Sequence, residues 1–382
     1  VSEPIERFEI HVDEAVLEDL HRRLAWTRFP DQIEGTGWEY GIAIDYLREL
    51  VAYWRDGYDW RLQEARLNQL PHFRTRIDGQ SIHFVHARSA RTDALPLLIT
   101  HGWPGSVVEF LDVIPRLTDP EAHAGSAGDA FHVVAPSLPG YGFSEPTRTR
   151  GWDVRRIARA FIELMRRLGY DRYGAQGGDW GAQVATRIGA LDPDGCAGIH
   201  LNMPIAGRPK DPGPLTDEEK ADLAAMAYFQ REESAYAFQQ GTRPQTLGVA
   251  LNDSPAGLLA WIVEKFRAWS DCDGHPETTF TRDQLITNVM LYWVTQTITS
   301  SARLYWEARH AASRDEKPEY VGVPTGVARY PKEDVLRFPR PWVERHYNVT
   351  HWTVMPQGGH FAAMEQPALF VEDLRKFFRT LR

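Results

Sequence analysis

Two cysteines, Cys196 and Cys272, are all that the 382 residues contain. They stand far apart and neither belongs to a CxxC pair, which removes a disulfide framework and a cysteine-based zinc site from consideration. Lysine is also scarce, occurring only at Lys210, Lys220, Lys265, Lys317, Lys332 and Lys376, so arginine carries almost all the positive charge. That bias reads as GC-rich coding rather than as function. No apolar run approaches the length of about 18 residues expected of a membrane-spanning helix. The stretch Val1 to Phe8 carries charge instead of the apolar core of a signal peptide. A soluble, cytoplasmic protein is the expectation. With a formal net charge of −9 there is no basic footprint for nucleic acid or a membrane surface. What is present, 43% hydrophobic and 25% charged residues, is ordinary for a globular chain long enough to bury a large core.

There is no internal repeat and no low-complexity segment. Residues 1–72 read as helical and amphipathic: Asp13 is placed to cap a helix with Val16, Leu17, Leu20 and Leu24 on one face, and Pro30 ends the segment. Short strands follow at Phe73 to Ile77 and Ser81 to His86, joined by Asp78-Gly79. An α/β rhythm then sets in. Strands are expected at Leu95 to Thr100, Phe131 to Ala135, Arg172 to Gln176 and Ala197 to Leu201, with helices at Asp153 to Leu168 and Gly181 to Ala190. Such alternation implies right-handed crossovers and a mostly parallel sheet with helices on both faces. From 206 to 318 the pattern is helical and aromatic-rich. Strand character returns at Val321 to Pro324 and Val349 to Met355, and a last helix carries Phe370, Leu374, Phe377, Phe378 and Leu381 on one side. The chain therefore divides into a helical N-terminal segment (1–72) packing on core and lid, a first core part (73–205), a helical lid (206–318) and the last two strands with the closing helix (319–382). A lid so inserted is expected over the carboxyl ends of the strands, where open α/β sheets place their sites.

The sharpest chemical signal is Gly177-Gly178-Asp179-Trp180-Gly181 at a strand-to-helix junction. It has the Gly-x-nucleophile-x-Gly form of a nucleophile elbow, with Asp179 in the nucleophile position. The plain alternative is a Gly-rich turn with Asp179 as a helix cap. His101-Gly102-Trp103-Pro104-Gly105 follows a buried strand, where an elbow enzyme draws one oxyanion-hole amide; the other comes from the residue after the nucleophile. Those donors would be the backbone N–H groups of Trp103 and Trp180, while the His101 side chain reads as a satisfied structural histidine. His360, in Gly358-Gly359-His360 after the last strand, stands where a general base belongs. The acid that orients it should follow the strand at Val321, and Glu333 and Asp334 qualify equally by position.

The elbow, the HGWPGS loop His101 to Ser106, Pro136 to Glu145 (PSLPGYGFSE), Leu251 to Pro255 (LNDSP), Thr287 to Trp293 (TNVMLYW) and Gly358 to Ala363 (GGHFAA) together resemble the microsomal-type epoxide hydrolases. The helical N-terminal segment is also characteristic of that family. The likeness runs over nearly the whole chain and implies an α/β-hydrolase fold. One departure is that the family's animal membrane members carry an N-terminal anchor with no counterpart here, which suits a soluble bacterial member. Carried onto matching positions, the resemblance selects Glu333 as the acid and Tyr236 and Tyr305 as lid tyrosines; spacing alone selects none of the three.

The resemblance implies that Asp179 attacks an epoxide carbon while Tyr236 and Tyr305 hydrogen-bond the ring oxygen. A covalent ester forms, and water activated by His360 hydrolyses it to a vicinal diol. Neither cofactor nor metal is called for, and the expected partner is a small epoxide alone, with a homodimer left open. Lid aromatics such as Tyr228, Phe229, Phe238, Trp261, Phe266, Trp269 and Trp306 suit an apolar or aryl substrate, for detoxification or for natural-product biosynthesis. The rival enzyme is a haloalkane dehalogenase, in which Trp180 would donate its indole N–H to halide. The rival from another class is a non-catalytic binding protein on the same fold.

Overall fold

The computed structural model describes residues 3–211, 213–311 and 320–382. The end of the expected lid, 312–318, lies outside the described residues.

The chain opens with a short strand, β1 (Glu6–Phe8), in a stretch where only helix was expected. Three residues, mostly exposed, carry no alternation that could announce a strand; β1 exists because β2 (His72–Ile77) offers it an edge to pair with. Helices α1 (Glu14–Ala25), α2 (Ile44–Asp56) and α3 (Trp60–Leu67) lie between the two strands. Helix α1 buries Leu17, Leu20 and Leu24, but Val16 turns outward and is 37% exposed, so the buried face is narrower than expected. The helix ends at Ala25, ahead of Pro30.

The hairpin from β2 to β3 (Gln80–Ala87) turns through Asp78 and Gly79, both at positive φ (51° and 74°), as a two-residue primed turn requires. Then come β4 (Leu95–Thr100), the short α4 (Ile114–Thr118), β5 (Phe131–Pro136), α5 (Val154–Arg167), β6 (Tyr173–Gly177), α6 (Asp179–Leu191) and β7 (Cys196–Leu201). Asp153 caps α5 by accepting from Arg156 N. Among the described residues the sheet has nine strands in the order β1-β2-β3-β5-β4-β6-β7-β8-β9. Pairing is antiparallel from β1 through β3 to β5 and parallel thereafter. Strand β4 is thus flanked by β5 and β6, and the order reverses there; a site is expected outside the carboxyl ends of the strands at such a point.

The insertion holds α7 (Asp217–Tyr228), a π-helical turn at Phe229–Glu233, α8 (Ala235–Thr242), α9 (Pro244–Asp253), α10 (Pro255–Trp269), α11 (Arg282–Thr295) and α12 (Ile298–His310). Strands β8 (Val321–Arg329) and β9 (Tyr347–Val354) complete the sheet, followed by α13 (Arg340–Val343, between them), α14 (Ala362–Glu365) and α15 (Pro367–Arg379). Helix α15 stops before Leu381, the last residue expected on its face. The N-terminal helices are fastened to the insertion: Tyr58 Oη lies 3.0 Å from Thr287 Oγ1, Tyr53 Oη donates to Asp283 (2.8 Å), and Arg23 pairs with Asp253 (2.7 Å). One hydrophobic cluster runs without a break from Ile10 and Trp54 through Leu98 and Ile157 to Ile262 and Leu285. Among the described residues no single helix is long and apolar enough to cross a membrane. The bent pair α9–α10 passes by length and composition, but much of α10 is buried in the core.

Candidate active site

Asp179 sits between β6 and α6 at φ 49°, a left-handed conformation costly for a residue with a Cβ. The turn can be this sharp because α6 presses on the neighbouring strand: a Cβ on Gly181 would run into the Thr100 carbonyl at the end of β4. The side chain does not cap α6, whose cap residue is Gly178. Instead Oδ1 accepts a hydrogen bond from the Trp103 amide at 2.8 Å. Burial pushes the Asp179 carboxyl up, while His360 and the amides of Trp103 and Trp180 pull it back toward the ionised form. The two amides expected to form an oxyanion hole therefore both act on this carboxylate.

On its other side, Asp179 Oδ2 lies 3.7 Å from His360 Nε2. His360 Nδ1 is 2.9 Å from Glu333 Oε2, and Glu333 Oε1 accepts from Val335 N at 3.1 Å. Of the two acids that spacing left equal, the fold turns Glu333 inward, 5% exposed, and Asp334 outward to Arg337 (2.9 Å). Arg337 also pairs with the buried Asp222 of α7, which Arg329 joins from the end of β8, so Asp334 belongs to a latch between insertion and sheet. Burial pulls the His360 imidazole down, but Glu333 and Asp179 outweigh it and lift His360 to about 9. The His360 loop is itself pinned to the insertion. The His360 amide donates to the Trp269 carbonyl at the end of α10 (2.9 Å), and Gly359 is needed because a Cβ there would meet that same carbonyl.

The insertion roofs the carboxylate with rings. Tyr236 stacks on Trp103 (centroids 5.0 Å, 10° between planes), Tyr305 meets Trp180 edge-on (4.8 Å), and the two tyrosine rings are 5.8 Å apart. Trp269 closes the ring at 5.0 Å from both Tyr236 and His360. Burial, with the Asp179 charge nearby, holds both phenols well above their ordinary value, so they keep their protons. The Tyr305 hydroxyl has no hydrogen-bond partner among the described residues. Of the other aromatics singled out in the insertion, Phe229 packs on Trp269, Phe266 stacks on Phe361 within the core, and Tyr228 and Phe238 are exposed.

Several residues that shape the site gave no signal of their own. Asn288 donates to the Pro104 carbonyl (2.8 Å) and accepts from Ser106 Oγ (2.7 Å), and Tyr292 donates to the Gly105 carbonyl (2.6 Å). The TNVMLYW run on α11 is thus the clamp on the loop that carries the Trp103 amide. Glu365 accepts from the amides of Gly359 and Phe361 on either side of His360, and from Asp271 beyond α10 (2.9, 2.9 and 2.8 Å). His101 is the structural histidine expected: Nδ1 lies 2.9 Å from the Gly102 carbonyl and Nε2 accepts from Leu138 N.

Sheet order, elbow and the aligned Asp-His-Glu set define an α/β hydrolase with a carboxylate at the elbow tip. Residues 96–371 match the family described as alpha/beta hydrolase fold, and residues 5–110 match Epoxide hydrolase N terminus. The chain is 41% identical to epoxide hydrolase 1 of Sus scrofa, over 100% of this chain and 90% of that protein. The crystal structure of juvenile hormone epoxide hydrolase from Bombyx mori superposes with a TM-score of 0.92 at 35% identity, covering 100% of this chain and 95% of that one. The Aspergillus niger epoxide hydrolase structure gives a TM-score of 0.88 at 34% identity, covering 100% and 97%. The chain belongs to the microsomal-type epoxide hydrolases.

Proposed function

We propose that this epoxide hydrolase works in two covalent half-reactions on Asp179, and that its substrates are apolar or aryl epoxides. The observation that carries this reading is the division of the Asp179 carboxylate. Oδ1 is held by the Trp103 amide, while Oδ2 stands 3.7 Å from His360 Nε2, below a roof of neutral phenols.

In the first half-reaction Oδ2 attacks an epoxide carbon. The C–O bond of the ring breaks, and the developing alkoxide takes a proton from Tyr236 or Tyr305, whose burial has kept those protons in place. Two donors suit this leaving group because an alkoxide is a strong base. Halide needs no proton, and Trp180, the residue a dehalogenase would aim at it, has its ring against Tyr305 here. In the second half-reaction His360 takes a proton from water, which attacks Asp179 Cγ while the Trp103 and Trp180 amides hold the oxyanion. The electrostatics time the base. An imidazole lifted to about 9 by Glu333 and Asp179 is protonated in the resting enzyme. Esterification removes the Asp179 charge, so the imidazole releases its proton, which restores the phenol that protonated the alkoxide, and is then free to act as a base.

The test is a single turnover of styrene oxide in heavy-oxygen water with enzyme in excess. Label is expected in the Asp179 carboxyl group, read by peptide mass spectrometry. Label confined to the diol would overturn the covalent route. Wild-type enzyme should release no halide from simple haloalkanes.

A further inference from the structure

Beside Asp179 lies a cavity of about 20 Å³ whose lining includes Gly105, Glu109, Gln176, Asn202 and His360 and neither of the two tyrosines. That volume holds about one water molecule, and a polar wall is the condition for a buried water to be stable. The wall carries several polar side chains, Glu109, Gln176, Asn202 and His360 among them. Gln176 is 1% exposed, its Nε2 turned to Asn202, and its Oε1 has no hydrogen-bond partner among the described residues. Glu109, on the short turn Val107–Phe110 capped by Ser106, folds back under the oxyanion loop so tightly that a Cβ on Gly105 would strike its Oε1. The same loop is clamped by Asn288 and Tyr292, which hold the carbonyls of Pro104 and of Gly105, the residue against which the Glu109 carboxyl folds. The triad and the tyrosines leave Glu109 unused.

We propose that Glu109 is a positioning residue for the hydrolytic half-reaction, accepting a hydrogen bond from the water that His360 deprotonates and so aiming its lone pair at Asp179 Cγ. The inference rests on the covalent reading above. One water O–H points to His360 Nε2 and the other to the C=O oxygen of the Glu109 side-chain carboxyl. As the O–C bond to Cγ forms, His360 takes the first proton. Collapse of the tetrahedral centre breaks the bond from Cγ to the substrate oxygen, which leaves as the diol hydroxyl with the proton from His360. The second proton departs when Asp179 reionises, so Glu109 neither gains nor loses one. Burial supports this role by pushing the Glu109 carboxyl up to about 8. A neutral carboxyl orients the water without placing a negative charge beside the forming oxyanion.

The experiment is rapid-quench intact-protein mass spectrometry with styrene oxide on wild type, Glu109→Ala, Glu109→Gln and His360→Gln, with thermal melts of each. In Glu109→Ala, ester formation should stay near wild type while ester hydrolysis slows about 100-fold, the scale on which a misplaced reactant costs rate. Glu109→Gln keeps a carbonyl acceptor and should restore most of the hydrolysis rate. Ester hydrolysis at the wild-type rate in Glu109→Ala overturns the proposal. So does a parallel loss of both half-reactions that tracks a fall in melting temperature, or a Glu109→Gln variant as slow as Glu109→Ala. If His360→Gln accumulates no ester, the covalent reading itself has failed; ester in His360→Gln with fast hydrolysis in Glu109→Ala condemns the Glu109 role alone.

Discussion

The two faces of the Asp179 carboxylate are built from opposite materials. Toward the insertion it meets rings: Trp103, Trp180, Tyr236, Trp269 and Tyr305 in contact with one another, with two buried phenols among the polar groups of the roof. Toward the core it meets His360, Glu109, Gln176 and Asn202 around a space the size of a water. The contrast fits what the two proposed half-reactions would need. Attack on an epoxide needs a dry surface for carbon and a proton donor for one oxygen. Hydrolysis needs a water kept in one orientation beside a base. On the proposed route a single carboxylate would serve both, because its two oxygens are placed differently, Oδ1 at the Trp103 amide and Oδ2 near His360.

Breaking the apolar face should cost most. The double variant Tyr236→Phe with Tyr305→Phe is expected to slow ester formation by about 10²–10⁴-fold, with each single variant less affected because one phenol remains. Hydrolysis of ester already formed should be unchanged, as stopped-flow and mass measurements on a single turnover would show. An unchanged alkylation rate would mean that the two rings only pack.

On the polar face, Glu333→Gln should slow ester hydrolysis by about 10²-fold, because it removes the charge that orients His360 and keeps it basic. Asp334→Asn should leave both half-reactions near wild type, since its partner is Arg337. The ratio of ester to free enzyme at steady state separates the two variants, and a reversed ranking would break the assignment.

The smallest effect is on stability. The Glu109 carboxyl, facing Asp179, His360 and Glu365, has an ordinary value of 4.5 and is raised to about 8 in the fold. Between those values the folded state keeps a proton that the unfolded chain has released, so wild-type stability falls as pH rises from 4.5 toward 8. Glu109→Gln lacks that loss. Its melting temperature relative to wild type should therefore climb by a few degrees from pH 5 to pH 8. Because Glu109 also helps to raise the His360 imidazole, the same comparison in a His360→Gln background removes the His360 contribution. A gap that stays flat with pH would mean that Glu109 is ionised in the fold and would sharpen the polar face into a charged one.

Legibility varied along the chain for physical reasons. Strands buried on both faces, such as Leu95–Thr100, announce themselves as continuous apolar runs, and the expected and observed bounds coincide. The elbow is equally plain, because a left-handed turn against a neighbouring strand demands small residues at fixed spacing. Strand β1 was invisible because an exposed three-residue edge needs no apolar alternation. Strand β8 runs five residues past the expected Pro324, through Thr325 to Arg329, because Ile199, His200 and Leu201 of β7 supply its hydrogen bonds. Val16 was misplaced because a helix on the rim buries a narrower stripe than its apolar residues suggest.

By itself the sequence determined most of the strands and helices and, through its long motifs, the family, and it marked Asp179 and His360 as the candidates for the chemistry. Spacing alone left Glu333 and Asp334 equivalent, with only the family likeness choosing Glu333, and nothing in the sequence singled out Glu109. Tertiary structure decided which of these side chains face the Asp179 site. Adjacent side chains such as Glu333 and Asp334 diverge according to what the sheet end and the insertion offer them, His360 on one side and Arg337 on the other. Glu109 acquires its place only when the oxyanion loop, the elbow and the His360 loop, which are remote in sequence, close around the same small volume.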